Sequence, residues 1–330
     1  MNLKLSGALS RNLMTEPILA GRVAPGGMDV AWTALHPSEM FWRQLRFRDF
    51  DISEMSVSSL LIAIDHGDTD WVALPVFTTR EFFHTRVLVR TGAGIDAPEQ
   101  LIGKRVGVPE YQQTAALWAR GALEHEFGVS PRQIKWFMER TPSRSHGGAT
   151  GFRPPEGVDL SYIPPSTNIG QMLVEGELDA TLLYLPERNL VDRSEVRFDD
   201  RSVVRPLFAD QRAEGVRYYR STGILPLNHC VVVRRELAED QPWVVLNVYD
   251  LFQSAKAAVQ SELSAMLEPY RRVGVVPAEL DRSLAEDPLP YGIAAQRVVI
   301  ETAVQYSYEQ GLISKPIPLD AVFSPATADL

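Results

Sequence analysis

The sequence predicts an α/β protein of two lobes, built on mainly parallel sheets, with a ligand cleft between the lobes and two chain crossings at a hinge. Three observations carry this. A chain of 330 residues, 45% hydrophobic and 23% charged, has the composition of a soluble globular protein but is long for a single core. Short apolar runs alternate with segments of helical spacing, the pattern of parallel strands covered by helices on both faces. Finally, His84-Thr-Arg-Val-Leu-Val-Arg90 and His229-Cys-Val-Val-Val-Arg-Arg235 each place a histidine before an apolar strand and an arginine six residues on. The pair reads as two hinge strands joining a discontinuous first lobe, 1–88 and 228–330, to an inserted second lobe, 89–227.

Taken in order, Leu3 to Leu5 alternates into a first strand, and Gly7 to Ser10 is expected to turn towards a helix near Asn12. Gly26-Gly27 precedes a strand from Met28 to Ala34. Ser38 to Phe47 has helical spacing, with Ser38 and Glu39 suited to its first turn. A short strand, Ile52 to Met55, leads to a helix from Ser58 to His66 that stops at Gly67, and a strand follows from Trp71 to Phe77. Lys104 to Val108 is a buried strand, Pro109 and Glu110 turn it, and a helix runs from Thr114 to Gly128. Strands at Ile134 to Phe137 and Thr181 to Tyr184 flank a Pro/Gly/Ser-rich loop, Thr141 to Gly157. Asp240-Gln-Pro242 starts a helix reaching about Leu267, with Pro in its first turn. Ala294 to Gln310 is a last amphipathic helix, closed by Gly311. The apolar stripes of these C-terminal helices serve the first lobe's core or the surface of a homo-oligomer.

Composition narrows the function. A formal net charge of −9 without a basic run argues against nucleic acid, which is bound by neutralising phosphates. Cys230 is the only cysteine, so an internal disulfide is impossible. The N-terminal stretch has no apolar core of signal-peptide length before Arg11, and no later run reaches membrane-spanning length, so the expectation is a cytoplasmic protein that acts on a small molecule without a membrane partner.

The strand, turn and helix of 103–128 place the unpaired N–H groups of a helix start around Tyr111, Gln112, Gln113 and Thr114, a setting for an anion. Phosphate loops use glycines here and this turn has none, which favours a carboxylate. The same stretch, GKRVGVPEYQQTAALWARG, resembles the second-lobe entry of the 4,5-dihydroxyphthalate decarboxylase family, itself similar in fold to the type 2 periplasmic solute-binding proteins. HPSEMFWRQLRFRDFDISEMSVSSLLIA (36–63), LPVFTTREFFH (74–84), YYRSTGILPLNHCVVVRR (218–235) and PYGIAAQRVVIETAVQYSYEQGL (290–312) extend the resemblance over most of the chain. It implies a type 2 periplasmic-binding-protein-like fold and a lyase that releases CO2 without oxidation from an aromatic diacid, leaving a dihydroxybenzoate. The loop 141–157 and Pro164-Pro-Ser-Thr-Asn168 depart from the family pattern, which leaves open which aromatic or heteroaromatic acid is used. The alternative is a solute-binding protein that closes on such an acid without turning it over.

Several residues suit that chemistry. His229 or Glu54 would give the ring carbon its proton, and His84 would take the proton of a ring hydroxyl. The retained carboxylate would be clamped by the helix start at Tyr111 to Thr114 with Arg80 or Arg188. Each has a plainer reading: a histidine closing a hinge hydrogen bond, or an arginine in a surface ion pair. Glu54 lies in so apolar a surrounding that it needs a partner. Ser56 and Ser58 are helix caps before they are ligands, and His146 is a loop or lid residue. No His-x-x-x-His, cysteine pair, acidic cluster, Gly-x-Gly-x-x-Gly, Walker loop or nucleophile elbow is present, so no cofactor is expected. A divalent metal between His84 and His229 stays open.

Overall fold

The computed structural model describes residues 2–199, 201–285, 287 and 289–330. It contains two mixed sheets. The first has five strands in the order β2 (Met28–Ala34), β1 (Leu3–Leu9), β3 (Ile52–Ser56), β11 (Leu227–Arg234), β4 (Trp71–Arg80). The second has six, in the order β10 (Val204–Pro206), β5 (Leu88–Arg90), β9 (Ala180–Thr181), β6 (Arg105–Val108), β7 (Lys135–Met138), β8 (Asp159–Tyr162). The chain leaves the first sheet between β4 and β5 and returns between β10 and β11.

Within the first sheet β1 is parallel to β2 and β3, while β11 runs antiparallel between β3 and β4. In the second, β9, β6, β7 and β8 are parallel, and β5 runs antiparallel between β9 and β10. All five residues of β3 are buried, as expected for a strand covered by helices on both faces. In open α/β sheets ligands gather beyond the carboxyl ends of parallel strands. Those ends here are Ser10 after β1, Ser56 of β3, Glu110 after β6, and Glu139 and Arg140 after β7.

Two contacts back the lobes against each other behind that edge. Trp118, in the helix Thr114–Phe127, donates from Nε1 to Leu227 O at 2.7 Å. Gly121 of the same helix lets the helix Ile293–Glu309 approach, since a Cβ there would lie 2.1 Å from the Tyr306 ring.

Some elements differ from expectation. The first strand continues through Gly7 to Leu9 because Gly7 lies under Trp32, where a Cβ would meet the ring at 2.4 Å. The expected helix near Asn12 reduces to Glu16–Leu19. The first crossing is a 3-10 turn, Phe83–Arg86, followed by the short β5, so His84 lies in a turn and the two crossings are not matched strands. The loop 141–157 holds a 3-10 turn, Pro142–Arg144, and a helical turn, His146–Thr150. The strand expected at Thr181 to Tyr184 is β9, two residues long. Unanticipated elements are β8, β10 and the helices Ile169–Glu175 and Gln211–Thr222, the last burying only Gly215 and Tyr218. Among the described residues no helix is long and apolar enough to cross a membrane.

Candidate active site

A cavity of about 190 Å³ lies between the sheets. Its first-lobe wall is His36, Ser38, Phe41, Ser56, Asn228 and His229; its second-lobe wall includes Gln113, Thr114, Arg140 and His146; Glu81 and Arg86 close the crossing side. A larger groove of about 810 Å³ runs between the helix Ile293–Glu309 and the C-terminal segment, but none of the histidines lines it. The smaller cavity is where titratable groups converge, and convergence rather than volume marks a site for chemistry.

On the first-lobe side Glu54, from the middle of β3, is fully buried. Ser10 N–H at the end of β1 and the Thr78 hydroxyl on β4 both donate to its carboxylate. His229 Nδ1, on β11, stands 3.8 Å from Glu54 Oε1 and has no hydrogen-bond partner. Burial alone would raise the Glu54 carboxyl; His229, Ser10 and Thr78 together outweigh it and hold the group below its ordinary value. The Asn228 amide nitrogen is 2.9 Å from His229 Nε2, which makes Nε2 the acceptor and puts the ring proton on Nδ1, facing the carboxylate. Phe41 packs edge-on to the imidazole, centroids 4.7 Å apart.

The second-lobe wall is a buried ionic cluster. Arg140 donates from Nε to Asp192 Oδ1 at 2.7 Å, from Nη2 to Asp192 Oδ2 at 3.2 Å, and from Nη1 to Glu110 Oε2 at 2.7 Å. Its Nη2 also donates to the Ser38 hydroxyl in the first lobe, and Nη1 is 3.4 Å from His146 Nε2. Burial disfavours the guanidinium charge, yet Asp192 and Glu110 more than offset this and hold Arg140 above its ordinary value. Against the same burial, Arg140 first, then Asn189 and Ser38, keep Asp192 at about 2. His146 and His36 are both pushed down, by burial first. His146 Nε2 donates to Ser38 O at 3.0 Å, and Asn189 Nδ2 lies 3.2 Å from His36 Nδ1, so both histidines take part in contacts between the lobes.

Three helices of eight or more residues begin at this cavity: Pro37–Phe47, Val57–Asp65 and Thr114–Phe127. Their starts turn N–H groups and positive dipole ends inward, which favours an anion. The Thr114 hydroxyl accepts from Ser58 N at 2.9 Å and lies 2.8 Å from Ser56 Oγ, so a second-lobe side chain caps a first-lobe helix. Ser58 Oγ donates to Gln112 O at 2.5 Å. Gln112 itself bonds Glu110 and lies behind the wall, while Gln113 and Thr114 line the cavity.

Other expected residues lie elsewhere. Tyr111 is fully buried in the second lobe, its ring covered by the Arg120 guanidinium at 3.7 Å and edge-on to Trp136, because the turn directs it inward from β6. His84 packs against Tyr218 and Phe208, with Nε2 3.0 Å from Glu214 Oε1, on the outer side of the crossing. His84 and His229 thus have separate partners, and no cluster of three or more potential metal ligands occurs among the described residues. Arg80 turns away at the end of β4, donating to Pro290 O at 2.5 Å. Arg188 is 69% exposed and pairs with Glu195 at 3.2 Å.

Arg140, Glu110, Asp192, His36, Ser38 and Arg86 carried no signal that singled them out. The available hint was positional: Glu110 and Arg140 directly follow apolar strand runs, at the carboxyl edge of the sheet. Asp192 and Ser38 could not be found that way, since only the fold brings them within reach of Arg140, 52 and 102 residues away in the chain.

No protein-family model matches the chain. A 4,5-dihydroxyphthalate decarboxylase of Comamonas testosteroni is 31% identical over 331 residues, covering 99% of this chain and 98% of that protein. One from Pseudomonas putida is 34% identical over 180 residues, 54% of this chain and 70% of that protein. Among solved structures, the periplasmic aliphatic sulphonate binding protein SsuA from Escherichia coli matches with a TM-score of 0.55 and 14% identity, covering 100% of both chains, a likeness of fold alone.

Proposed function

The chain belongs to the 4,5-dihydroxyphthalate decarboxylase family and is a carboxy-lyase, and from that premise we propose how its inter-lobe cavity performs the reaction. It removes one carboxylate, as CO2 and without oxidation, from an aromatic dicarboxylic acid such as 4,5-dihydroxyphthalate, leaving a dihydroxybenzoate. The observation that supports the assignment to this cavity is His229, which lines it together with three helix starts and is backed by the buried Glu54.

The retained carboxylate rests at the start of the helix Thr114–Phe127, with the Arg86 side chain beside it. Arg86 lines the cavity and is half exposed, with Glu81 at 3.1 Å as its protein partner, so it has N–H groups to give. His36 accepts at Nδ1 from Ser38 N–H, which leaves its proton on Nε2 for a ring oxygen. That hydroxyl gives up its proton to solvent on binding and is held as a phenolate para to the leaving carboxylate, where it pushes electron density onto the carbon that bears it. With the Asn228 amide turned away from Nε2, protonated His229 delivers a proton to this carbon from Nε2, and Glu54 stabilises the imidazolium through Nδ1. The bond to the carboxylate then breaks, its electron pair restores the aromatic ring and the phenolate, and CO2 leaves. His229 regains its proton from solvent after the lobes open. His36 thus stands at the ring oxygen where His84 was expected, as a donor to the phenolate and not as a base, and Arg86 replaces Arg80 and Arg188 at the carboxylate.

The test is CO2 release from purified protein with 4,5-dihydroxyphthalate, with and without a chelator. Turnover supports the reading. Calorimetric binding of the diacid with no CO2 would favour the solute-binding alternative, and chelator-sensitive turnover would add a metal that these roles omit.

A further inference from the structure

Arg140 is the obvious cation for a substrate carboxylate: it lines the cavity, is fully buried and lies at the carboxyl edge of β7. Its contacts argue otherwise. A guanidinium has five N–H groups in a fixed fork, and here acceptors meet four of them: two on Asp192 and one each on Glu110 and Ser38 Oγ. The two buried carboxylates exceed the charge of the one arginine, so the cluster has no cation to spare for a diacid. Three of the four bonds lie in the second lobe. The fourth, to Ser38, crosses to the first turn of the helix Pro37–Phe47, and His146 reaches the same turn by donating to Ser38 O at 3.0 Å. That helix carries Phe41, whose ring touches both His146, at 5.6 Å between centroids, and His229, at 4.7 Å.

We propose that Arg140 is a positioning residue that closes the lobes on the substrate through Ser38, setting Phe41 against His229, and that it does not bind the substrate carboxylate itself. Glu110 and Asp192 hold the fork rigid, so that its free end presents one strong, charge-assisted bond to the other lobe. A substrate that enters when this bond is broken must restore it. The observed affinity therefore scales with the fraction of protein already closed.

The inference rests on the decarboxylase reading only for its kinetic arm. Ser38→Ala removes the cross-lobe acceptor and leaves the second-lobe cluster intact. Losing a hydrogen bond to a charged group shifts the closed–open balance by roughly ten- to a hundred-fold. KM for 4,5-dihydroxyphthalate should rise by a comparable factor, exceeding any fall in kcat, and small-angle scattering without substrate should show a larger radius of gyration than the wild type. Ser38→Thr, which keeps the hydroxyl, should restore both. Arg140→Lys, a point charge that cannot serve three partners, should open the lobes as Ser38→Ala does. The proposal is overturned if Ser38→Ala keeps wild-type KM and radius of gyration, and equally if Arg140→Lys raises KM while Ser38→Ala does not, the result of a direct clamp. If the wild type releases no CO2 from any aromatic diacid, the decarboxylase reading fails, and scattering alone decides the closure role.

Discussion

His229 Nδ1 stands 3.8 Å from Glu54 Oε1, near enough for charge to act and too far for a hydrogen bond. Two other donors, Ser10 N–H after β1 and the Thr78 hydroxyl on β4, hold that carboxylate in place before any ligand arrives. The arrangement favours a protonated imidazole ready to give up its proton, because the compensating group is fixed, buried and already ionised.

His229→Gln should therefore separate binding from chemistry. The amide can still hydrogen bond, so most of the diacid affinity remains by calorimetry. CO2 release should drop by about a hundredfold or more, the usual contribution of a general acid. Turnover close to wild type in this variant would remove His229 from the proton transfer.

Arg86→Ala should weaken diacid binding by about 1.5–3 kcal/mol, the contribution of a direct hydrogen bond to a charged group. Arg188→Ala should change neither affinity nor stability by more than about 0.5 kcal/mol, as for other exposed ion pairs. Calorimetry with the same diacid decides between them, and equal losses in both variants would undo the placement of the carboxylate.

Arg80→Ala should act on stability instead of affinity. Its guanidinium donates to Pro290 O and lies 5.7 Å from the Phe77 ring, anchoring the segment before the last helix. Urea unfolding should show a loss of about 1–3 kcal/mol from the unpaired carbonyl and lost packing, with the diacid Kd unchanged. A weakened Kd at wild-type stability would return Arg80 to the site.

Acid should destabilise the fold in two stages. His36, His84 and His146 all titrate below their ordinary 6.5 in the folded protein, so the unfolded chain binds more protons below that pH. Their contribution is complete above 6.5 and is lost as pH falls through the lowered values, by at most about 1.4 kcal/mol per pH unit for each histidine. Glu54, below its ordinary 4.5, and Asp192, at about 2 against 3.8, follow the same sign in a lower window. Their stabilisation is complete above the ordinary values and lost as pH drops through the folded ones. Urea unfolding from pH 7.5 to 5 should show a falling stability, with a shallower slope in His146→Gln. A flat wild-type profile over that range would contradict the burial of neutral histidines.

What the sequence determined by itself is periodic or local. Alternating apolar runs set the strands and helices of the first sheet, since each element must bury one face whatever its partners are. The helix start at Thr114 and the isolation of Glu54 among apolar neighbours were legible for the same reason: a turn, or a charge that needs a partner, is a statement about a few adjacent residues. Short strands such as β8, three of whose four residues are exposed, leave no such pattern and were not read. The tertiary structure alone decided which polar side chains meet. His84 and His229 have similar local sequences, but β11 delivers His229 to Glu54, while a 3-10 turn carries His84 to Glu214 on the outer side. The sequence offered Arg80 and Arg188 and passed over Arg140, yet only Arg140 is surrounded by Glu110, Asp192 and Ser38, residues that no spacing rule connects. A buried charge is tolerated only where opposite charge and hydrogen bonds converge on it. That convergence belongs to the packing of two lobes from distant parts of the chain, and no single stretch of the sequence contains it.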